Sequence, residues 1–160
     1  MLEDKRLICE LKQGSKDALR QIYMEYKDTL LTIAASLLHD TYAAEDVLHD
    51  VFVSFAGSVG KLELKVSLRS YLITSVVNRV RDRFRKKKHH TVELDKAGQI
   101  SSDLNRPEQS AVLAEQLQLM ADALSQIPLE QAETIILHLN GGMKFKEIAE
   151  MQNIPMNTVQ

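Results

Sequence analysis

The spacing of apolar residues is the feature that most constrains the fold of this chain. Between residues 15 and 38 they recur at steps of three and four, at Leu19, Ile22, Tyr23, Tyr26, Leu30, Ile33 and Leu37. Because an α-helix turns once in about 3.6 residues, these steps place the side chains on one buried face of a long helix. Similar steps recur through most of the chain, which has only six glycines and three prolines among its 160 residues. The sequence therefore predicts an all-α fold.

Two shorter apolar runs flank this long helix. A first helix is predicted before Gly14, and a third begins near Asp40 or Thr41, whose side chains can accept a hydrogen bond from a free N–H group at a helix start. Gly57 and Gly60 are expected to end the third helix, and the short breaks predict three antiparallel helices. The apolar positions of the third helix are Ala44, Val47, Leu48, Val51, Phe52 and Phe55.

A fourth helix is predicted after a loop at residues 57–66. Ser67 can cap this helix, which extends to about Lys88. Its apolar residues form two stripes, the second of which includes Phe84, so one side should pack broadly against the earlier helices. A polar stripe lies between them and consists of Ser70, Thr74, Asn78, Arg81 and Arg85.

The C-terminal part of the chain predicts a second helical domain. Residues 91–106 lack a sustained apolar period and are interpreted as a linker between domains at 1–90 and 107–160. Near the end, two short helices joined by a tight turn are typical of a helix-turn-helix, whose second helix supplies base-reading side chains from its N-terminal residues. Those residues are Asn157, Thr158 and Gln160. Since little more than one turn of the second helix is present, we expect the domain to be incomplete at its C-terminus.

The net charge of −2 is the sum of three unlike segments. Residues 1–60 carry a net charge of −4, residues 61–90 carry +8, and residues 91–160 carry −6. A basic segment between two acidic ones predicts a polyanion site in the middle of the chain. Because opposite charges attract, we also expect the acidic C-terminal domain to lie against the basic helix in the free protein and to weaken DNA binding.

The densest basic run lies at residues 79–90, where seven of twelve residues are Arg or Lys. Cationic side chains can neutralise phosphates, and Thr and Asn can hydrogen-bond to base edges. A solvated helix end, with cations favoured by the helix dipole, is the alternative. Asp82, one turn from Arg85, is predicted to pair within the helix. The candidate DNA contacts of this helix are Thr74, Asn78, Arg79, Arg81, Arg85, Lys86, Lys87 and Lys88.

An acidic face is predicted on the third helix, opposite its buried stripe. It carries a single apolar side chain among its charges, which suits docking of a basic or mixed partner helix; a solvated face is the alternative. Its residues are Asp46, His49, Asp50 and Val53.

Several classes of protein and site are excluded. One cysteine cannot form an internal disulfide, and no apolar run approaches the roughly 20 residues of a membrane span, so a cytoplasmic protein without membrane insertion is expected. Residues 57–61 resemble half a phosphate loop, but Phe55 and Leu62 occupy positions that require Gly and Ser or Thr. The histidines have no metal-ligand spacing with Cys9, which is predicted to pack as a small hydrophobe beside Ile8. No enzyme, metal site or cofactor is predicted.

Taken in order, these stretches resemble a known family. Residues 44–55, AEDVLHDVFVSF, and residues 67–85, SLRSYLITSVVNRVRDRFR, resemble region two of bacterial sigma factors of the extracytoplasmic-function group, within the sigma-70 family. Residues 127–131, 145–150 and 154–159 resemble the start of region four. Either part alone is moderately specific, but both in this order across a short linker are highly specific.

The resemblance implies a subunit that binds core RNA polymerase, directs it to promoters and helps to open the duplex. The acidic face of the third helix would dock on the clamp helices of the largest polymerase subunit. The loop at 57–66 and the helix from Ser67 would hold the minus-ten element with an unstacked base, and region four would read the minus-thirty-five element. An anti-sigma factor is a further expected partner. The resemblance adds Lys61, Lys65 and Arg69 to the candidate DNA contacts.

Two other functions remain open at this point. A stand-alone helix-turn-helix regulator would hold duplex DNA without polymerase, but its reading domain should be basic, whereas acidic residues outnumber basic ones at 107–160. A helical adaptor that binds only proteins would leave the basic run at 79–90 without a role.

Overall fold

In a computed structural model, the chain is described at residues 2–63, 66–90, 123–124 and 126–159, without the side chains of Leu2 and residues 87–90. These residues form helices joined by short turns, with no strand among them, so the all-α prediction is confirmed. The linker predicted at 91–106 and most of residues 107–127 lie outside this part of the chain. The helices are α1 (Leu2–Lys12), α2 (Lys16–Leu38), α3 (Thr41–Ser58), α4 (Leu68–His90), α5 (Leu129–Leu139), α6 (Phe145–Gln152) and α7 (Met156–Val159).

Three of the helices begin at side-chain caps. The Ser15 hydroxyl oxygen accepts a hydrogen bond from the Ala18 N–H group at 3.2 Å, at the start of α2. Asp40 Oδ1 accepts from Ala43 N–H at 3.0 Å at the start of α3. Ser67 Oγ accepts from Ser70 N–H at 3.1 Å at the start of α4. Each cap satisfies one of the N–H groups that a helix start leaves without an intrahelical partner.

The third helix extends further than its glycines predict. Gly57 and Ser58 are helical, and a 3-10 turn at Val59–Lys61 continues the chain, so the loop begins about five residues later than expected. A glycine inside a helix costs only about 1 kcal/mol. Burial of Val59 offsets that cost, since this side chain is 7% exposed.

Helix α2 lies at the centre of the N-terminal part and contacts α1, α3 and α4. Its residues Ile22, Leu30 and Ile33 are almost completely buried. Two of the aromatic residues predicted on buried stripes are instead partly exposed, namely Tyr23 and Phe84. The apolar period shows that each residue lies beside buried neighbours on its own helix. It does not show whether another helix extends far enough to cover the ring.

Cys9 does not pack in the core as predicted. Its side chain is exposed, and Gln13 Nε2 lies 3.9 Å from its sulfur. Successive residues of a helix point about 100° apart. Burial of the stripe at Leu7, Ile8 and Leu11 therefore turns Cys9 towards solvent.

The C-terminal helices pack against the N-terminal ones. Helix α5 contacts α2, and Ile136, Leu137 and Ile148 belong to the same cluster of buried side chains as the residues of α2 and α4. Pro128 precedes α5, and Gly142 follows it with a φ of +61°. None of the described helices is long and apolar enough to cross a membrane.

Candidate nucleic-acid and partner interfaces

Helix α4 separates an apolar face from a cationic one. Leu72, Val76 and Val80 are buried on the apolar face. The candidate DNA contacts Arg69, Asn78, Arg79, Arg85 and Lys86 are exposed, whereas Ser70, Thr74 and Arg81 are half-buried. The division predicted from the sequence is therefore present along the described side chains of this helix.

The Thr74 hydroxyl is less available for hydrogen bonding to DNA than its place in the polar stripe suggests. Its hydroxyl donates a 2.7 Å hydrogen bond to the Ser70 carbonyl oxygen of its own helix. Such back-bonding is common for threonine within helices. Thr74 can therefore offer a ligand an acceptor oxygen, while its proton is already engaged.

Arg81 is the predicted phosphate contact whose surroundings differ most from expectation. Its Nε donates to Glu133 Oε1 at 2.9 Å and to Oε2 at 3.2 Å, and its Nη2 also bonds to Oε2. Glu133, in α5, is 0% exposed. The hydrogen bond to Glu133 raises the pKa of the Arg81 guanidinium, against an opposing effect of burial. No sequence pattern connects these residues, which are 52 positions apart.

Arg69 also faces the C-terminal helices. A Cβ atom built on Gly142 would lie 3.3 Å from Arg69 Nη2, so the backbone after α5 closely approaches this guanidinium. Arg69 and Arg81 are both candidate DNA contacts. The C-terminal helices therefore lie beside two of the cations that the sequence assigns to DNA.

Two further arginines of α4 form ion pairs within the N-terminal part. Arg85 Nη2 lies 2.5 Å from Asp82 Oδ1, which confirms the predicted structural role of Asp82. Arg83, which the sequence did not single out, lies 3.1 Å from Asp46 Oδ2 in α3. The side chains of Lys87 and Lys88 lie outside the described part of the chain.

The chain between α3 and α4 is anchored at its beginning. Lys61 is exposed at the end of the 3-10 turn. Lys12 Nζ, from α1, donates a 2.8 Å hydrogen bond to the Leu62 carbonyl oxygen. Lys65 lies outside the described residues.

The predicted acidic face of α3 is open to solvent. Asp46, His49 and Asp50 are exposed, and Val53 is 59% exposed despite being apolar. The turn periodicity of α3 places these side chains opposite the buried Val47, Val51 and Phe55.

A groove between α2 and α3 adjoins this face and was missed by the sequence analysis. Its apolar lining includes Tyr23 and Phe52, whose rings meet edge to face with centroids 4.9 Å apart. His49 and Val53 form part of the same lining. The partial exposure of Tyr23 is therefore part of a surface continuous with the acidic face.

The C-terminal helices form the predicted helix-turn-helix. Helix α6 ends at Gln152, the next residue Asn153 has a φ of +55°, and α7 begins at Met156. Asn157 and Thr158 are exposed in the first turn of α7, while Val159 is buried. Gln160 lies outside the described residues. Asn157 and Thr158 are therefore accessible to solvent at the N-terminal end of α7.

Among the described residues, no group of three or more His, Cys, Asp or Glu side chains is placed to hold a metal ion. Every buried side-chain nitrogen or oxygen atom in that part of the chain has a hydrogen-bond partner.

Comparison with known proteins gives matches to two family models, one in the N-terminal part of the chain and one in the C-terminal part. The Sigma-70 region 2 family model matches residues 22–90, and the Sigma-70 region 4 model matches residues 117–160. Together the two matches cover most of the chain.

Whole-chain relatives agree with these matches. The chain is 26% identical to the ECF RNA polymerase sigma factor SigW of Bacillus subtilis, over 98% of this chain and 88% of SigW. Its fold is similar to that of RpoE from Bartonella quintana, solved with the anti-sigma factor NepR, with a TM-score of 0.76, 22% identity, and coverage of 91% and 88% of the two chains. CnrH, solved with the cytosolic domain of CnrY, gives a TM-score of 0.71, 20% identity, and coverage of 98% and 87%.

The region 2 and region 4 matches occur in the order that the sequence predicts, and relatives align over nearly the whole chain. The chain therefore belongs to the sigma-70 family of RNA polymerase sigma factors, in its extracytoplasmic-function group.

Proposed function

We propose that this sigma factor docks on the clamp helices of core RNA polymerase through the acidic face of α3. Asp46, His49 and Asp50 offer exposed polar side chains, and Val53 provides an exposed apolar contact among them. The adjoining groove at Tyr23 extends the apolar area of this surface. A mixed acidic and apolar surface suits a helix that carries both basic and apolar side chains.

Promoter DNA binds, in this proposal, along α4 and the chain that precedes it. Exposed cations at Lys61, Arg79, Arg85 and Lys86 neutralise phosphates, while Asn78 is free to bond to a base edge. Opening a duplex costs a few kcal/mol for each unstacked base, which these contacts offset. Arg69, Thr74 and Arg81, with Lys65, Lys87 and Lys88, complete the proposed set.

The C-terminal part is proposed to read the minus-thirty-five element. Asn157 and Thr158 are exposed at the start of α7, and Gln160 is the next candidate along that helix. In this scheme residues 1–90 and 107–160 act as separate domains, and residues 91–106 link them.

An anti-sigma factor is the proposed inhibitory partner. Two proteins of similar fold were solved as complexes, RpoE with the anti-sigma factor NepR and CnrH with the cytosolic domain of CnrY. The sigma factor is proposed to act in the cytoplasm, as a non-enzymatic subunit of the polymerase.

The observation that carries the proposal is the presence of region 2 before region 4 in one chain. A stand-alone helix-turn-helix regulator needs only the second of these. The stand-alone alternative is therefore not favoured.

Transcription in vitro tests the proposal. The full chain is added to bacterial core polymerase with fragmented genomic DNA, and the 5′ ends of the RNA are sequenced. We expect a small set of start sites that requires the chain and shares upstream sequence elements. The same start sites with and without the chain would contradict the proposal.

A further inference from the structure

The end of α1 lies against the chain that connects α3 to α4. Helix α1 contacts the 3-10 turn at Val59–Lys61. Its last residue, Lys12, donates a 2.8 Å hydrogen bond from Nζ to the carbonyl oxygen of Leu62, 50 residues further along the chain. This helix precedes residue 22, where the region 2 match begins. A residue outside the matched region therefore holds the chain that is proposed to bind promoter DNA.

Lys12 extends from a backbone that is itself fixed. The preceding residue, Leu11, is buried in the core. The Gly14 N–H group donates a 2.9 Å hydrogen bond to the Leu11 carbonyl oxygen, and Gly14 has a φ of +90°, which glycine adopts at little cost. Lys12 also lies in the last turn of α1, where the helix dipole favours a cation. The ammonium group is therefore confined to the reach of one side chain from a fixed point.

The connecting chain is held at both ends. At its beginning, the Leu62 N–H group donates a 3.1 Å hydrogen bond within the 3-10 turn, and the Leu62 side chain packs against the core. At its end, Ser67 caps α4. Glu63 and Val66, which lie between these points, are exposed. Lys12 thus contacts the connecting chain at the residue where it leaves the 3-10 turn.

The hydrogen bond from Lys12 fixes the orientation of one peptide plane. That plane joins Leu62 to Glu63, so its orientation sets the direction in which the chain leaves the turn. Lys61, an exposed cation that is proposed to bind DNA, comes immediately before it. A hydrogen bond from a charged donor is stronger than one between neutral groups. Lys12 therefore constrains the backbone beside a proposed DNA contact without touching DNA itself.

We propose that Lys12 is a positioning residue for the recognition of promoter DNA. From α1 it holds the chain between α3 and α4 in the orientation that discriminates among bases of the minus-ten element. The proposal rests on the proposed function, in which this chain and α4 bind that element. A binding site that is loosely held can adjust to the wrong ligand as well as to the right one. Loss of the hydrogen bond should therefore lower the selectivity among promoter sequences.

A direct phosphate contact is the competing role for Lys12. Its ammonium group has three donor hydrogens and its side chain is exposed, so donors remain after the bond to Leu62 is made. Phosphate contacts carry no sequence information, and their loss weakens binding to all sequences by a similar factor. Loss of a positioning residue changes the ratio between sequences instead. Measurement of that ratio separates the two roles.

Amide hydrogen exchange tests whether Lys12 holds the connecting chain. Exchange at the Leu62 N–H group is measured by NMR in the full chain for Lys12→Met, which removes the donor, and for Lys5→Met, which removes an exposed charge elsewhere on α1. We expect exchange at Leu62 to be at least about fivefold faster in Lys12→Met and unchanged in Lys5→Met. Exchange at the buried Ile33 should match the wild type in both variants, which controls for folding. Equal rates at Leu62 in Lys12→Met and the wild type would overturn the proposal.

Transcription with core polymerase tests the effect on selectivity. One promoter from the wild-type set of start sites is prepared as a pool of all single-base changes in its minus-ten element, and the RNA from each sequence is counted. At the most selective position, we expect the ratio of the preferred base to the others to fall at least about fivefold with Lys12→Met and to be unchanged with Lys5→Met. Lys12→Arg retains a cationic donor and should restore the ratio. An equal loss of transcription from every sequence, with that ratio unchanged, would overturn the positioning role.

Failure of the proposed function gives a different result. If the wild-type chain directs no start sites of its own, the proposed function is overturned and the positioning role falls with it. If the wild type directs such sites and Lys12→Met discriminates among the bases as the wild type does, the positioning role alone is overturned.

Discussion

Asp46 of α3 and Arg83 of α4 form an ion pair, with 3.1 Å between Asp46 Oδ2 and Arg83 Nη2. The pair joins the helix proposed to bind polymerase to the helix proposed to bind DNA. The Asp46 side chain is 72% exposed, so its second oxygen remains accessible to a partner cation. An exposed pair of this kind can exchange partners at little cost in free energy.

Loss of the Arg83 partner should therefore have a small effect on folding. We expect Arg83→Gln to lower the free energy of unfolding by less than about 1 kcal/mol, since exposed pairs contribute little in water. Urea unfolding of the variant and the wild type measures this difference. A loss above about 2 kcal/mol would show that the pair is a structural element of the bundle.

Tyr26 should make stability fall at alkaline pH. Burial, and then the 3.0 Å hydrogen bond from its hydroxyl to Asp4 Oδ1, raise the pKa of Tyr26 well above its ordinary value. The neutral phenol is thus favoured in the folded state. The contribution of the Tyr26 hydroxyl to the free energy of unfolding is complete below about pH 10, the pKa of an unfolded tyrosine. It is lost as the pH rises above that value.

The variant Tyr26→Phe tests this effect. Tyr42→Phe is its matched control, since the Tyr42 side chain is 78% exposed. At pH 8, Tyr26→Phe should lower the free energy of unfolding by about 1 kcal/mol, and this difference from wild type should shrink by pH 11. Denaturant unfolding at the two pH values provides the measurement. A constant difference would rule out the role of Tyr26 ionisation.

Two leucines of α5 test the shared core. Leu137 is 0% exposed within the cluster that includes α2 and α4, while Leu139 is 68% exposed. Leu137→Ala should lower the free energy of unfolding by about 2–5 kcal/mol, and Leu139→Ala by less than about 0.5 kcal/mol. Chemical unfolding of both variants distinguishes them. Similar losses would mean that α5 is not packed as described.

The exposed cations of α4 should determine the salt dependence of DNA binding. We expect Arg79→Gln to reduce the log–log slope of affinity for single-stranded DNA against salt by about 0.7, the value for one phosphate contact. Arg20→Gln, an exposed change on α2, should leave the slope unchanged. Titrations at several salt concentrations give both slopes, and an unaltered slope for Arg79→Gln would remove it from the DNA contacts.

Local structure was predictable wherever the signal is carried by neighbouring residues. The caps at Asp40 and Ser67 and the turn before Met156 follow from local hydrogen bonding and backbone preferences. The acidic face of α3 is exposed as its period predicts. These features depend on side chains within about one helical turn of each other.

Contacts between distant segments were not predictable in the same way. Charge segregation indicated attraction between the C-terminal part and α4, but no spacing could identify Glu133 as the partner of Arg81. The exposure of Tyr23 depends on where α3 leaves α2 uncovered. The continuation of α3 through Gly57 depends on burial of Val59, which outweighs the weak helix preference of glycine.

Binding to core polymerase is the most direct test of the central claim that α3 is the docking helix. The variant combines Asp46→Asn with Asp50→Asn, and the control combines Glu3→Gln with Glu10→Gln, which removes two charges from α1 instead. Affinity of the labelled full chain for core polymerase is measured by fluorescence anisotropy. We predict that the α3 variant binds at least about tenfold more weakly while the control binds as the wild type does. Equal affinities for the α3 variant and the wild type would contradict the claim.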